Sequence, residues 1–318
     1  MKAMVLTSFG GPEVFEERDV TTPEPGPSDL LVRIVATSAN PCDFQTRRGD
    51  YAEWVSCPAI IGIDASGVVE AVGSDVTRFK VGDEVFYEME LFTRPGTFAE
   101  YNVVDESIVA LKPQNAGHFE AASLPLVFGT AYGCLIERAK LQIGESVLVH
   151  AGAGGVGSVA IQIAKAAGAR VFTTCSTRSV GFVESLGADV VIDYKVESCE
   201  DVIGRETGGR GVDVVLDTVG GNTVERSPYV LKDHGRLVSI VDIPTAQNLL
   251  EAWSRNIDMM FFFIEPTRRK MEVLRDLVER GRIRPLIDSV MPLSLVGEVQ
   301  QRQEAGGVQG KIVFDTSK

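Results

Sequence analysis

The chain has 318 residues, 44% of them hydrophobic and 24% charged, which suits a folded protein of about two domains and excludes a disordered one. Forty-four acidic residues against 31 basic ones give a net charge of −13, and such a surface repels nucleic acid and anionic lipid. Five scattered cysteines without a C-x-x-C pair predict reduced thiols in the cytoplasm, and no apolar run is long enough for a signal peptide or a membrane span.

Residues 1–120 read as a small β domain. Short β-type runs at Met4–Leu6, Leu30–Val35, Gly67–Val72, Glu84–Phe86, Phe98–Val104 and Ile108–Leu111 are separated by turn signals such as Gly10-Gly11-Pro12 and Pro25-Gly26-Pro27. The pattern changes near Phe119, where a helical stretch containing Thr130–Leu135 leads into a strand at Ser146–His150. A helix from Val156 follows, then a strand at Arg170–Thr174, a helix near Val180–Leu186 and strands at Val190–Asp193, Val212–Asp217 and Gly235–Ile240. This alternation predicts a doubly wound parallel sheet over residues 121–264, an α/β domain. Met259–Ile264 reads as a further apolar strand. A helix opening at Pro266 carries Met271, Leu274 and Val278 on one face, and Gly310–Phe314 reads as a last strand. Residues 265–318 are expected to return to the first domain.

The strongest motif is Gly152-Ala153-Gly154-Gly155-Val156-Gly157, which follows one predicted strand and opens the next helix. Glycines there permit a tight turn and close backbone approach to a pyrophosphate, and the helix amino end favours an anion. The plain alternative is a glycine-rich turn without a ligand. An NAD site usually carries an acidic residue at the end of the second strand. Here that strand ends in Cys175-Ser176-Thr177-Arg178. Ser176 and Thr177 can donate hydrogen bonds, and Arg178 can pair with a 2′-phosphate, so NADPH is the expected cofactor. Otherwise Arg178 is a solvated charge at a helix start.

Several stretches together resemble the zinc-free, quinone-oxidoreductase-like branch of the medium-chain dehydrogenase/reductase family. They are Asn40-Pro41-Cys42-Asp43, Gly62-Ile63-Asp64-Ala65-Ser66-Gly67, Val81-Gly82-Asp83-Glu84-Val85, Gly129-Thr130-Ala131-Tyr132, the glycine loop, Ser185-Leu186-Gly187-Ala188-Asp189 and Gly310-Lys311-Ile312-Val313. The resemblance implies a GroES-like β domain followed by a Rossmann domain, and NADPH-linked reduction of quinones or α,β-unsaturated carbonyls. Where zinc-containing relatives carry metal ligands, this chain has Asn40, Ile63 and Leu126, an amide and two hydrocarbons that offer zinc no thiolate or imidazole. No metal is expected.

Without a Lewis acid, hydrogen-bond donors must stabilise the charge developing on the substrate oxygen. Asn40, Tyr51 and Thr130 are the candidates. Tyr51 either donates a proton or merely stacks, and Asp43 is read as anchoring its loop. In the cofactor half, the resemblance implies that Val156 meets the pyrophosphate through its backbone and that Tyr194 flanks the adenosine phosphate. Val219 and Val241 line the cofactor or pack in the core. Lys311 reads either as touching the phosphate or substrate loop or, more plainly, as a surface charge, and His118, His150 and His234 read as dispersed structural residues. Two other readings stay open: different reductase chemistry on the same scaffold, or a non-catalytic NADPH-binding regulatory protein. A homodimer is expected, because a doubly wound sheet leaves an edge that the apolar Met259–Ile264 run can cover with a second copy.

Overall fold

The computed structural model describes residues 1–317. They form two compact units, one made of Met1–Gly129 with the chain from Ile264 onward, the other of Thr130–Phe263. The first boundary falls at 129 rather than at 120. The reason is local: the helix at His118–Ala122 packs on the first unit's sheet.

The first unit opens with β1 (Lys2–Leu6), β2 (Phe15–Asp19), β3 (Asp29–Ser38), α1 (Pro41–Arg48), β4 (Ala59–Ile60) and β5 (Asp64–Val72). It continues through β6 (Glu84–Glu88), β7 (Tyr101–Asp105), β8 (Val109–Leu111), α2 (His118–Ala122) and the start of α3 (Pro125–Tyr132). The expected strand over Phe98–Val104 starts only at Tyr101, because Phe98 and Ala99 are buried against β1. Two elements had no hydrophobic signature. β2 reads FEERD and is exposed along most of its length, an edge strand kept soluble by charge. Helix α1 forms because Asn40 and Asp43 make a reciprocal capping box, Pro41 takes the first turn and Gly49, at φ +93°, ends it.

The second unit contains β9 (Ser146–Val149), α4 (Gly155–Ala166), β10 (Arg170–Cys175), α5 (Val180–Ser185), β11 (Val190–Asp193) and α6 (Cys199–Thr207). After these come β12 (Val212–Asp217), α7 (Asn222–Val230), β13 (Leu231–Ser239), α8 (Ala246–Ser254) and β14 (Asp258–Phe261). All neighbours are parallel, in the order β11-β10-β9-β12-β13-β14. The chain therefore winds outward from β9 through β10 and β11, then crosses back to β12 on the other side. β9 and β12 flank the switch point, outside whose carboxyl ends open α/β sheets bind ligands. Both strands are buried along their full length, as a sheet covered on two faces requires.

The chain then re-enters the first unit as α9 (Arg268–Glu279), β15 (Ile287–Pro292), α10 (Val296–Ala305) and β16 (Lys311–Asp315). Helix α9 starts two residues beyond Pro266, because the Thr267 side chain accepts the Lys270 N–H and sets the cap. β16 joins the larger sheet, ordered β15-β16-β3-β5-β6-β8 with β7 also on β3, while β2-β1-β4 form a second sheet. The returning chain completes one apolar core in which Leu293, Val296, Ile312 and Phe314 meet Met4, Leu6 and Phe98. The Phe98 and Phe314 rings meet edge to face at 5.5 Å.

Candidate functional site

In the second unit, the glycine loop joins β9 to α4. A Cβ on Gly152 would lie 2.0 Å from Thr173 Oγ1 on β10, and one on Gly157 would lie 2.3 Å from the Ala151 carbonyl oxygen. Both glycines are enforced by the strand–turn–helix packing itself. Gly154 differs. A Cβ there would meet nothing closer than 3.4 Å, so its smallness leaves open space beside the loop. Gly154 caps α4, and the N–H groups of Gly155, Val156 and Gly157 open the helix with no intrahelical carbonyl to bond. That is a cradle for an anion.

The rim matches the charge logic of the sequence. Ser176 caps a short turn over Thr177–Ser179; Thr177 and Arg178 are exposed, and Arg178 has no ion-pair partner among the described residues. Tyr194 follows β11, 56% exposed, its N–H bonded to the Cys175 carbonyl at 3.2 Å and its ring 5.1 Å from Lys195 Nζ. Val219 and Val241 each lie two residues beyond the ends of β12 and β13 and are 57% and 49% exposed, so neither is a core residue. Small-molecule sites commonly measure about 300–1,000 Å³; a cavity of about 630 Å³ opens here, lined by His150, Ala151, Thr174, Tyr194, Val219 and Arg226 among others. Sequence reasoning missed Arg226, whose guanidinium forks onto Glu200 on α6. Burial lowers the His150 pKa to about 4, leaving a neutral ring beside Thr174 Oγ1.

In the first unit, a buried polar cluster gathers at Asp64. Its Oδ2 accepts from Ser38 Oγ at 2.6 Å, Asn40 Nδ2 at 2.9 Å and Lys311 Nζ at 3.1 Å, and its Oδ1 accepts from the Leu126 N–H at 2.7 Å. Lys311 also donates to the Ala39 carbonyl and to Asn40 Oδ1. Two expectations are corrected here. Lys311 is not a surface charge; it is 5% exposed and ion-paired with Asp64. Asn40 is fully buried, its amide donating to Asp64 and to the Ser38 carbonyl, so it holds the loop instead of offering a hydrogen to a substrate oxygen.

Other members of the expected set are placed less centrally. The Tyr51 hydroxyl donates to Gln45 Oε1 at 3.0 Å, and its ring stacks on Trp54. Thr130 is buried in α3 and belongs to the second unit. Asp43 accepts the Asn40 N–H at 2.8 Å, and burial raises its carboxyl from the usual 3.8 to about 7. Glu88 stands opposite Asp64 in the β5–β6 register, and neither of its carboxyl oxygens has a hydrogen-bond partner. Burial pushes it well above the usual carboxylate range. Among the described residues, no group of three or more His, Cys, Asp or Glu is placed to hold a metal ion. The donor set at 40, 63 and 126 does not fit zinc either: Asn40 and the Leu126 backbone both bind Asp64, and Ile63 is a buried hydrocarbon.

Comparisons with known proteins place the chain among dehydrogenases and reductases. Residues 26–114 match the alcohol dehydrogenase GroES-like domain family, and residues 186–314 match the family described as zinc-binding dehydrogenase. A 2-methylene-furan-3-one reductase of Solanum lycopersicum is 36% identical, across 99% of this chain and 79% of the relative. An Arabidopsis thaliana protein named NADPH-dependent alkenal/one oxidoreductase, chloroplastic, is 34% identical across 98% of this chain and 79% of its own length. The solved quinone oxidoreductase of Coxiella burnetii superposes with a TM-score of 0.91 at 33% identity, covering 99% of both chains.

The Asp43 proton has a measurable consequence. A folded-state carboxyl raised above its unfolded value favours folding at low pH, and that contribution is lost as pH rises through the window from about 4 to about 7. Asp43→Asn keeps an acceptor for the Asn40 N–H and carries no charge. Its urea midpoint should therefore gain on the wild type between pH 4 and pH 8; two curves that stay parallel across that range would refute the buried, proton-holding Asp43.

Proposed function

Because the chain belongs to the medium-chain dehydrogenase/reductase family, we propose that this oxidoreductase uses NADPH to reduce quinones or α,β-unsaturated carbonyls without zinc. The observation that carries the reading is the fate of the three ligand positions. An amide and two hydrocarbons surround Asp64 there, and an acceptor must then be electrophilic before it arrives. A conjugated carbonyl or quinone meets that condition; a simple alcohol, which needs acidifying, does not.

The chain's own residues divide the work. The N–H groups opening α4 hold the pyrophosphate, with Gly154 giving it room. Ser176, Thr177 and Arg178 receive the 2′-phosphate, a reading supported by the missing carboxylate at the end of β10 and by the lack of any other partner for Arg178. Tyr194, Val219 and Val241 flank the nucleotide. The bound cofactor supplies a hydride to the electron-poor carbon. Tyr51 and Thr130 remain the hydroxyls proposed to donate to the acceptor's oxygen, with Tyr51 exchanging its Gln45 partner to do so. Asn40 acts as a positioning residue through the Asp64 cluster. The five cysteines form no disulfide, which supports a reducing compartment such as the cytoplasm, and no helix among the described residues is long and apolar enough to cross a membrane.

The second unit also supports a homodimer. β14 is the sheet's edge strand, and Phe261 and Phe263 lie 46% and 57% exposed beside it. Phe262 between them is buried against Gly133. Apolar rings along an open edge suit a second copy better than water.

Three measurements test these statements. Arg178→Ala should raise the KM for NADPH about tenfold, as loss of one charge-assisted contact of about 1–2 kcal/mol does, with little change for NADH; equal wild-type efficiency with both cofactors would sink the NADPH assignment. Consumption of NADPH with a naphthoquinone or a small enone should survive exhaustive chelation. Stoichiometric zinc in the purified protein, with inactivation on its removal, would overturn the zinc-free reading. Sedimentation at micromolar concentration should show a dimer that Phe261→Lys weakens, and a wild-type monomer would remove the edge-strand interface.

A further inference from the structure

We propose that a cavity within the first unit, beneath Trp54 and Phe92, binds the flat, uncharged ring of the acceptor. The inference rests on the quinone and enone reading above and names the part of the acceptor that this unit selects. The cavity measures about 490 Å³, within the range of small-molecule sites. Its walls are largely apolar, with Val55, Ile61, Ile63 and Leu91 around the two aromatic rings.

Three observations point to a planar ligand. First, Trp54 is 60% exposed yet held: its ring lies 5.8 Å from Tyr51 at an interplanar angle of 19°, and 5.6 Å from Phe92. One face of a large indole is fixed by neighbours while much of its surface stays open to solvent. Such a face binds an aromatic or quinonoid ring by stacking, at little conformational cost because the indole is already positioned.

Second, Phe92 sits at φ +66°, a left-handed conformation that a bulky side chain adopts at a cost of roughly 1–2 kcal/mol. Its ring packs 4.9 Å from Tyr51. Strain of this kind persists where the surroundings over-determine it, and it concentrates at ligand clamps. A glycine at this turn would relieve the strain but would remove the ring from the cavity wall.

Third, the basic groups around the cavity are already paired. Arg94 bonds Asp29 at 2.6 Å and Arg18 bonds Glu16 at 2.7 Å, while Glu90 adds an acidic group at the rim whose carboxylate accepts from Thr93 Oγ1. A carboxylate or phosphate ligand would find no uncommitted cation there and would be repelled by Glu90. A neutral ring loses nothing by entering. Electron-poor quinones also complement the electron-rich face of indole.

The chain has two tryptophans, so Trp253→Phe leaves Trp54 as its only indole. In that background, titration with 1,4-naphthoquinone in the absence of NADPH should quench emission along a saturable curve. Adding Phe92→Gly should raise the apparent dissociation constant at least tenfold. Linear, unsaturable quenching that Phe92→Gly does not alter would mean collision alone and would overturn the site. Turnover separates the two levels of the argument. If the wild type reduces naphthoquinone and methyl vinyl ketone, Trp54→Ala should raise the KM for the naphthoquinone at least tenfold more than the KM for the small enone. An equal change in both would defeat the ring site and leave the reductase reading standing. Reduction of neither acceptor by the wild type would defeat the reductase reading itself, whatever the fluorescence shows.

Discussion

The buried ion pair between Asp64 and Lys311 organises the first unit. The two residues lie 247 positions apart, one on β5 and the other at the start of the strand that closes the chain's return. An isolated carboxylate in an apolar interior is too costly to keep, so the Asp64 carboxylate accepts from four donors: a lysine, a hydroxyl, an amide and a backbone N–H. Those four donors come from β16, the end of β3, the cap of α1 and the start of α3. One carboxylate thereby fixes the relative positions of four elements. Removing the lysine alone would leave the carboxylate uncompensated, a loss of about 3–5 kcal/mol. Replacing both partners with hydrocarbons need not destabilise the fold. The pair is better understood as a device for register and position than as a source of stability.

The second unit depends on a steric constraint instead. Gly152 and Gly157 leave no room for a Cβ against Thr173 and the Ala151 carbonyl, and this closeness points the amino end of α4 past the carboxyl end of β9. The anion cradle follows from packing, before any ligand contributes. Gly154 is the exception, since nothing in the protein fills the space it leaves.

What could be read from the residues alone follows the same division. The parallel sheet was legible because strands such as Ser146–Val149 and Val190–Asp193 are short, valine-rich apolar runs and because the stripe on α4 has helical spacing. The glycine loop was legible because its neighbours on both sides were. In the first unit, β2 carried no alternation, and α1 was announced only by Asn40-Pro41-x-Asp43, a capping signal that also reads as a loop motif. Lys311 was misread for a physical reason. Its burial is decided by Asp64, 247 residues away, and no local pattern encodes a partner at that distance. The hydrogen bonds of Asn40 were not legible either, because whether an amide is free depends on how many donors and acceptors the fold brings to it. Trp54 and Phe92 show the same limit. Each is an isolated aromatic in a polar stretch, and only the folded turn sets their rings side by side.

The Asp64 cluster brings several buried carboxyls and one ammonium close together. Asp64 and Glu88 face each other across β5 and β6, and two ionised carboxylates so placed would repel each other strongly. Burial pushes Glu88 well above the usual carboxylate range and raises Asp43 to about 7, while Lys311 pairs with Asp64. An amide and two hydrocarbons stand at positions 40, 63 and 126, and the cluster ties the α1 loop to β5 and β16. Under the proposed reduction, the electrophilicity would reside in the acceptor itself, as it does in a conjugated carbonyl or quinone.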